Sequence, residues 1–452
     1  MSGRKLFGTD GIRGTANRYP ITPEIALRLG RAAGILLRRE GATQSRFVIG
    51  RDTRRSGPMF ESALVAGLTS VGAEILLAGI VPTPAVAGLV RELGADGGFV
   101  LSASHNPAGD NGIKLFGGDG YKLDDAIEER LEQLILTEEI DSIRPEAGSV
   151  GTVSRMDDAF HRYGSQVKAS APGMSLHGLH IAVDCANGAS FRTTPQVLRE
   201  LGATLSVFHA APDGMNINEG CGSTHPEEIS RLVRETGALV GISHDGDADR
   251  LLLCDERGVP LDGDEILAMI ALDALKRGTL AGKTLVATVM SNMGLDECVA
   301  QAGGVVVRTA VGDRYVVKAM VEGNFSIGGE QSGHLIFRDH GTTGDGLLGA
   351  LQVLRIMTES GKPLSELRGA LRKYPQAQRN LQVKEKPPLD SLMEVSVLVS
   401  ETERMLAGKG RVLLRYSGTE PKVRLLIEGS DEEVINEAAD KIAKALDTAI
   451  GG

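Results

Sequence analysis

Three carboxylates at alternate positions, Asp245, Asp247 and Asp249, stand in the loop His244-Asp-Gly-Asp-Ala-Asp-Arg250. In a tight, glycine-containing loop these charges repel, and an oxygen-seeking divalent cation such as Mg2+ or Ca2+ relieves the repulsion. A rival reading is an EF-hand, because Glu256 falls at its twelfth position. Against it, Arg250 stands where that loop needs glycine, and the flanks Leu239–Ile242 and Leu251–Cys254 read as strands. A solvated acidic turn is the plainest alternative.

Ser102 and Ser104 precede His105-Asn106-Pro107, whose asparagine and proline mark a fixed turn. The Ser–His neighbours do not make a hydrolase triad, since adjacent side chains rarely face each other. A serine held near a divalent cation can instead carry phosphate, adding nearly two negative charges and good metal-ligand oxygens. Lys114, shortly after Asp110-Asn-Gly112, could move a proton or stabilise a transferring phosphoryl group, though a lone lysine is ordinarily just solvated. Arg415-Tyr-Ser417-Gly418-Thr419 with Arg424 reads either as a phosphate cradle or as a hairpin turn with surface arginines. Glu330 and Ser332 suit sugar hydroxyls, His334 suits an acid or base, and Arg13 adds a cation after the glycine-rich Phe7–Gly11.

The elements that position these residues repeat. Short apolar strands begin at Arg46–Gly50, Leu179–Asp184 and Thr284–Val289. A helical stretch, a second strand (Ala73–Leu77, Ala203–Phe208, Val305–Arg308), another helix and a third strand follow each. Leu89-Val-Arg-Glu92 before Gly94-Ala95 recurs as Leu232-Val-Arg-Glu235 before Gly237-Ala238. Strands alternating with helices imply βαβ units in mixed, largely parallel sheets. The third strands open into the loops carrying Ser104, the three aspartates and Glu330, and ligands bind α/β sheets at the carboxyl ends of strands. The chain's last part differs: strands Arg411–Arg415 and Val423–Glu428, then a helix with Val434, Ile435, Ala438, Ile442 and Leu446 on one face behind a Ser430/Glu433 capping box. The stretch Lys384–Pro388, with two prolines, reads as part of a domain boundary.

At 452 residues the chain is too long for one core and predicts three or four domains. Its 42% apolar and 24% charged content is that of a folded soluble protein. A net charge of −10 argues against nucleic acid as the main partner. Four cysteines without CxxC spacing read as reduced thiols in the cytoplasm. The longest charge-free apolar stretch, Ile75–Val90, is interrupted by Pro82 and Pro84, so no membrane span is expected.

Taken together, Ser102–Pro107, Asp245–Arg250, Gly329–His334 and Arg415–Thr419 resemble the four signature loops of the α-D-phosphohexomutase superfamily, in order and across essentially the whole chain. Phe7–Gly14, Glu330-Gln331-Ser332, and Asn216–Asn218 ahead of Cys221-Gly-Ser223 resemble its hexosamine-directed branch. The resemblance implies three similar α/β domains with mixed, largely parallel sheets plus a smaller C-terminal α+β domain, around a central cleft. The expected spans are 1–153 (phosphoserine), 154–255 (metal), 256–371 (sugar) and 372–452 (phosphate). It further implies that Ser104 is phosphorylated, by a sugar 1,6-bisphosphate or a kinase. One Mg2+ per chain would be held by Asp245, Asp247, Asp249 and the Ser104 phosphate. Arg250 would orient that loop toward substrate, while Arg13, Lys114 and His334 would assist proton transfer and steady charge. Glu330 and Ser332 would hold sugar hydroxyls, and Arg415, Ser417, Gly418, Thr419 and Arg424 the phosphate not being transferred.

The implied reaction moves a hexosamine's phosphoryl group between its 6- and 1-positions through a bisphosphate that turns over in place, in amino-sugar precursor synthesis. Such turning predicts hinge motion near residues 370–380. The same chemistry on glucose or mannose is the nearest alternative, and a non-catalytic sugar-phosphate sensor a remote one. The expected partner is a small-molecule hexosamine phosphate, with no nucleic acid and no membrane, in a cytoplasmic protein for which a homodimer is allowed.

Overall fold

The structure, a computed structural model, describes residues 6–8, 10–137, 139–417 and 421–452. The chain forms two compact units. One takes in the chain up to Met290 together with Ala302–Ala370, the other Ser291–Gln301 and Leu371–Gly452.

The first unit contains three sheets on one plan. In each, a first strand lies between two parallel neighbours, and the third strand turns back into an antiparallel fourth. Arg46–Arg51 is flanked by Glu74–Ile80 and Gly97–Leu101, with Asp110–Gly117 returning antiparallel. His180–Asp184 is flanked by Thr204–Phe208 and Val240–Ser243, with Leu252–Asp255 returning. Thr284–Thr288 is flanked by Val305–Thr309 and Ile327–Gly329, with Leu335–Phe337 returning. Edge strands enlarge the first two sheets: Ile12–Thr15 and Val153–Arg155 in one, Pro260–Leu261 in the other. The three polar loops singled out from the sequence are the third-to-fourth strand connections, so one topological rule delivers all of them.

Local chemistry ends the elements where the repeat predicts. Gly94 and Gly237, the glycines of the duplicated Leu-Val-Arg-Glu segment, follow helices Thr83–Glu92 and Pro226–Thr236 with φ of +57° and +66°. That left-handed conformation favours glycine and releases the chain into the third strand. The third strand of the first sheet, Gly97–Leu101, is buried throughout, as expected of a strand covered on both faces.

The second unit has a three-stranded antiparallel sheet in the order Gln376–Gln382, Lys422–Gly429, Gly410–Tyr416. Helix Glu432–Ile450 packs Ile435, Ala439, Ile442 and Leu446 into a core with Val423, Leu425 and Ile427. Strand Gln376–Gln382 was not anticipated, because its alternation of polar residues carries little apolar signal. Lys384–Pro388 consequently lies inside this unit rather than at its boundary, and Lys386 Nζ donates to the Ser417 carbonyl at 2.7 Å. The expected Ser430 cap is also corrected: Asp431 is the N-cap, its carboxylate accepting the Glu433 and Val434 N–H groups. Asn292, from the short segment, exchanges hydrogen bonds with the Tyr374 backbone, both at 2.9 Å. Among the described residues no helix is long and apolar enough to cross a membrane.

Within the first unit, Tyr163 of helix Ala159–Ala169 donates its hydroxyl at 2.8 Å to Asp345, which caps helix Gly346–Ser360. Burial raises the Asp345 carboxyl to about 6, against the lowering effect of its hydrogen bonds. A folded-state pKa above the unfolded value means that the protonated form stabilises the fold. That contribution is complete below pH ~4 and lost as pH rises through about 6. Asp345→Asn keeps the capping oxygen and the Tyr163 partner without the charge. Relative to the parent it should therefore gain about 3 kcal/mol between pH 4 and pH 8, read from denaturant melts at the two pH values.

Candidate active site

Ser104 follows the third strand of the first sheet. It is buried (2% exposed) and has φ +52°. A left-handed residue with a side chain costs about 1–2 kcal/mol, so the surrounding contacts must hold it there. Its hydroxyl donates to Asp245 Oδ2 at 2.5 Å and lies 3.3 Å from His105 Nδ1. His105 does face its neighbour, contrary to the sequence expectation. Burial first, then the Arg250 and Arg13 charges, push His105 down to about 4, leaving a neutral ring.

Asp245, Asp247 and Asp249 are all buried and offer oxygens within 4.8 Å of one another. Gly246 allows this loop to meet the serine loop, because a Cβ there would stand 2.6 Å from the Ser104 carbonyl oxygen. Lys114 Nζ, itself 1% exposed, bridges Asp247 at 2.7 Å and Asp249 at 2.9 Å. Burial opposes its charge, yet Asp10, Asp247 and Asp249 outweigh burial and hold the ammonium well above the usual lysine range. Thr83 Oγ1 donates to Asp247 at 2.5 Å. Even so, Asp247 Oδ1 and Asp249 Oδ1 are buried without a hydrogen-bond partner. Burial, with Asp249 and Asp247 repelling, drives the Asp245 carboxyl up to about 7. An anionic oxygen cluster still short of countercharge fits a hard divalent cation, Mg2+ among them.

His334, 5% exposed, has Nε2 3.1 Å from the Gly344 nitrogen and Nδ1 3.6 Å from Asp249; burial opposes its charge, but Asp249 and Asp313 outweigh burial and raise its pKa. Its Nε2 also lies 3.4 Å from Asp313. Arg13 pairs with Asp10, and the Arg250 backbone N–H donates to Asp245 at 3.3 Å. Arg250 and His334 form a β-bridge between the aspartate loop and the Gly329–His334 loop. Glu330 accepts the Gly312 N–H at 3.1 Å, and Ser332 is exposed on the same loop.

In the second unit Arg415 and Arg424 sit directly opposite on paired strands. Burial and the Arg424 charge lower the Arg415 pKa, so an anion placed there would relieve a like-charge pair. Ser417 is buried beside them in sequence, and Gly418 and Thr419 lie outside the described residues.

Several contributors were missed from sequence. Lys122 pairs with both Asp10 and Asp313, the latter at 2.5 Å, and nothing in its neighbours foretold this. Thr83, Asp52 and Arg54 follow first and second strands, where the rule that ligands gather at strand carboxyl ends would have found them.

Fold and site thus define an α/β enzyme with a metal-binding carboxylate cluster where its strands end. The chain matches four family models: phosphoglucomutase/phosphomannomutase alpha/beta/alpha domain I over residues 4–141, domain II over 161–258, domain III over 262–374, and the C-terminal domain over 379–445. It is 51% identical to a phosphoglucosamine mutase of Syntrophotalea carbinolica, covering 99% of this chain and 98% of that one. It is equally 51% identical to one of Geobacter sp. strain M21, covering 99% of both. A phosphoglucomutase/phosphomannomutase family protein of Burkholderia thailandensis superposes with a TM-score of 0.81 at 25% identity, over 99% of this chain and 98% of that one. The chain belongs to the phosphoglucomutase/phosphomannomutase family, the α-D-phosphohexomutases.

The cluster predicts a measurable ion effect. Mn2+ or Mg2+ at about 100 times its Kd should stabilise the parent by about 2.7 kcal/mol. Asp247→Ala should lose most of that gain, with affinity reduced by roughly two orders of magnitude as ligand charge is removed. Calorimetric titration and thermal melts with and without the ion check both.

Proposed function

We propose that the chain acts as a phosphoglucosamine mutase, interconverting glucosamine 6-phosphate and glucosamine 1-phosphate. The observation that carries this reading is the Ser104 hydroxyl 2.5 Å from Asp245, inside a buried carboxylate cluster bridged by Lys114. The names of relatives 51% identical over nearly the whole chain support the glucosamine substrate.

In this reading phosphorylated Ser104 donates its phosphoryl group. The bond from phosphorus to Ser104 Oγ breaks, a bond to the sugar hydroxyl oxygen forms, and the proton of that hydroxyl passes to the freed Ser104 Oγ. The bisphosphorylated sugar then reverses its orientation and returns its other phosphoryl group to Ser104, whose hydroxyl proton passes to the sugar oxygen so released. A bound Mg2+, held by Asp245, Asp247 and Asp249, supplies charge neutralisation for the phosphoryl oxygens. Lys114, between Asp247 and Asp249, steadies negative charge and assists proton transfer. His334 and Arg13 sit at carboxylates of the same network and assist the proton's movement. Glu330 and Ser332 hold sugar hydroxyls, and Arg250 orients the aspartate loop. Arg415, Arg424 and Ser417, with Gly418 and Thr419, grip the phosphate that stays. These roles divide the chain into phosphoserine (1–153), metal (154–255), sugar (256–371) and phosphate (372–452) domains. Ser104 is first phosphorylated by a sugar 1,6-bisphosphate or a kinase, and four free thiols support a cytoplasmic setting.

Ser104→Ala should stay folded, with stability lowered by about 1–3 kcal/mol because the buried Asp245 loses its hydroxyl donor, and lose turnover by at least about ten-thousand-fold. Normal activity in that variant would sink the mechanism. Comparing kcat/KM on glucosamine, glucose and mannose 6-phosphates tests the substrate. A preference of about tenfold or more for glucosamine is expected, and a reversed preference would overturn the reading of the Glu330 loop.

A further inference from the structure

The polar atoms of the serine loop do not all face the reaction. Its carbonyls converge on one guanidinium, that of the fully buried Arg54. Nη2 donates to the carbonyls of Ser104 at 3.0 Å and Asn106 at 2.7 Å. Nη1 donates to that of Asp110 at 3.0 Å and to that of Pro107. Nε donates at 2.9 Å to Asp52, which also accepts the Arg54 N–H at 2.9 Å and the Ser102 hydroxyl at 2.6 Å. Ser102 Oγ in turn receives the Ser104 N–H at 2.9 Å. From the other side, Asn218 Nδ2 donates to the same Ser104 and Asn106 carbonyls, at 2.9 and 3.0 Å. Asn218 is held in a left-handed conformation, φ +59°, by its N–H to the Ala186 carbonyl at 2.9 Å.

We propose that Arg54 and Asn218 are positioning residues for phosphoryl transfer: by gripping the Ser104 carbonyl from two sides they hold its hydroxyl toward Asp245. The inference rests on Ser104 being the phosphoryl carrier. A serine that gives up a phosphoryl group and takes one back must present the same oxygen in the same place both times. A left-handed serine would otherwise relax toward ordinary backbone geometry and swing Oγ away. Asp52 acts one step back, by orienting the guanidinium and the Ser102 hydroxyl.

The test uses the full chain with Arg54→Lys and Asn218→Gly, the glycine being able to keep the positive φ while losing the amide donor. Lysine cannot reproduce the planar fork that serves four carbonyls. The expected result is kcat lower by about 100-fold for Arg54→Lys and about tenfold for Asn218→Gly, with KM for glucosamine 6-phosphate changed by less than about threefold. Mn2+ affinity should also stay within about threefold, since the three aspartates are untouched. Intact mass after incubation with glucose 1,6-bisphosphate should show slower phosphorylation of Ser104 in both variants. A folded Asn218→Gly protein with parental kcat would overturn the proposal, as would a fall in kcat matched by an equal fall in Mn2+ affinity. If Arg54→Lys does not fold, Asn218→Gly decides alone. An active Ser104→Ala control would instead bring down the phosphoserine reading beneath it.

Discussion

Three buried carboxylates with oxygens within 4.8 Å of one another cannot all stay ionised without nearby positive charge. Much of the first unit answers that constraint. Lys114 is drawn into the interior and kept charged, Thr83 donates its hydroxyl, and Arg250 is held close by the loop's own backbone. What is left over, two buried oxygens without a hydrogen bond and a carboxyl raised to about 7, is a demand that a divalent cation would meet. A negative cluster of this kind would attract a hard cation, which suits chemistry in which phosphoryl charge arrives and leaves.

The same strand plan, used three times, gives each polar loop a common origin and a different content. One loop carries a hydroxyl, one the carboxylates, and one an acidic and hydroxyl pair with a histidine. Because the third strand in every sheet turns back antiparallel, its loop is short and anchored at both ends. Such loops place side chains more reproducibly than long free ones. Around them a second set of charges, Asp10, Lys122 and Asp313, forms half-buried ion pairs. The second unit solves a different problem. Its antiparallel sheet puts Arg415 and Arg424 directly opposite each other on neighbouring strands.

Much of the plan is legible in the residues alone. Alternation of apolar strands with helices, and the repeated Leu-Val-Arg-Glu segment closed by a left-handed glycine, encode the α/β plan locally, through periodicity and turn chemistry. The three aspartates declared themselves because three like charges within five residues are unfavourable without a purpose. Ser104 stood out only in company with the other loops. Which long-range partners complete the site is fixed by the folded chain. Arg54 reaches carbonyls about fifty positions away, Asn218 reaches Ser104 across 114, and Lys122 meets Asp313 across 191. It also decided that Asp431 rather than Ser430 caps the last helix, and that a polar segment at Gln376–Gln382 becomes a strand. In each case the reason is the same. Such a residue's role depends on which groups the folded chain brings beside it, and no local pattern in a single sequence records that.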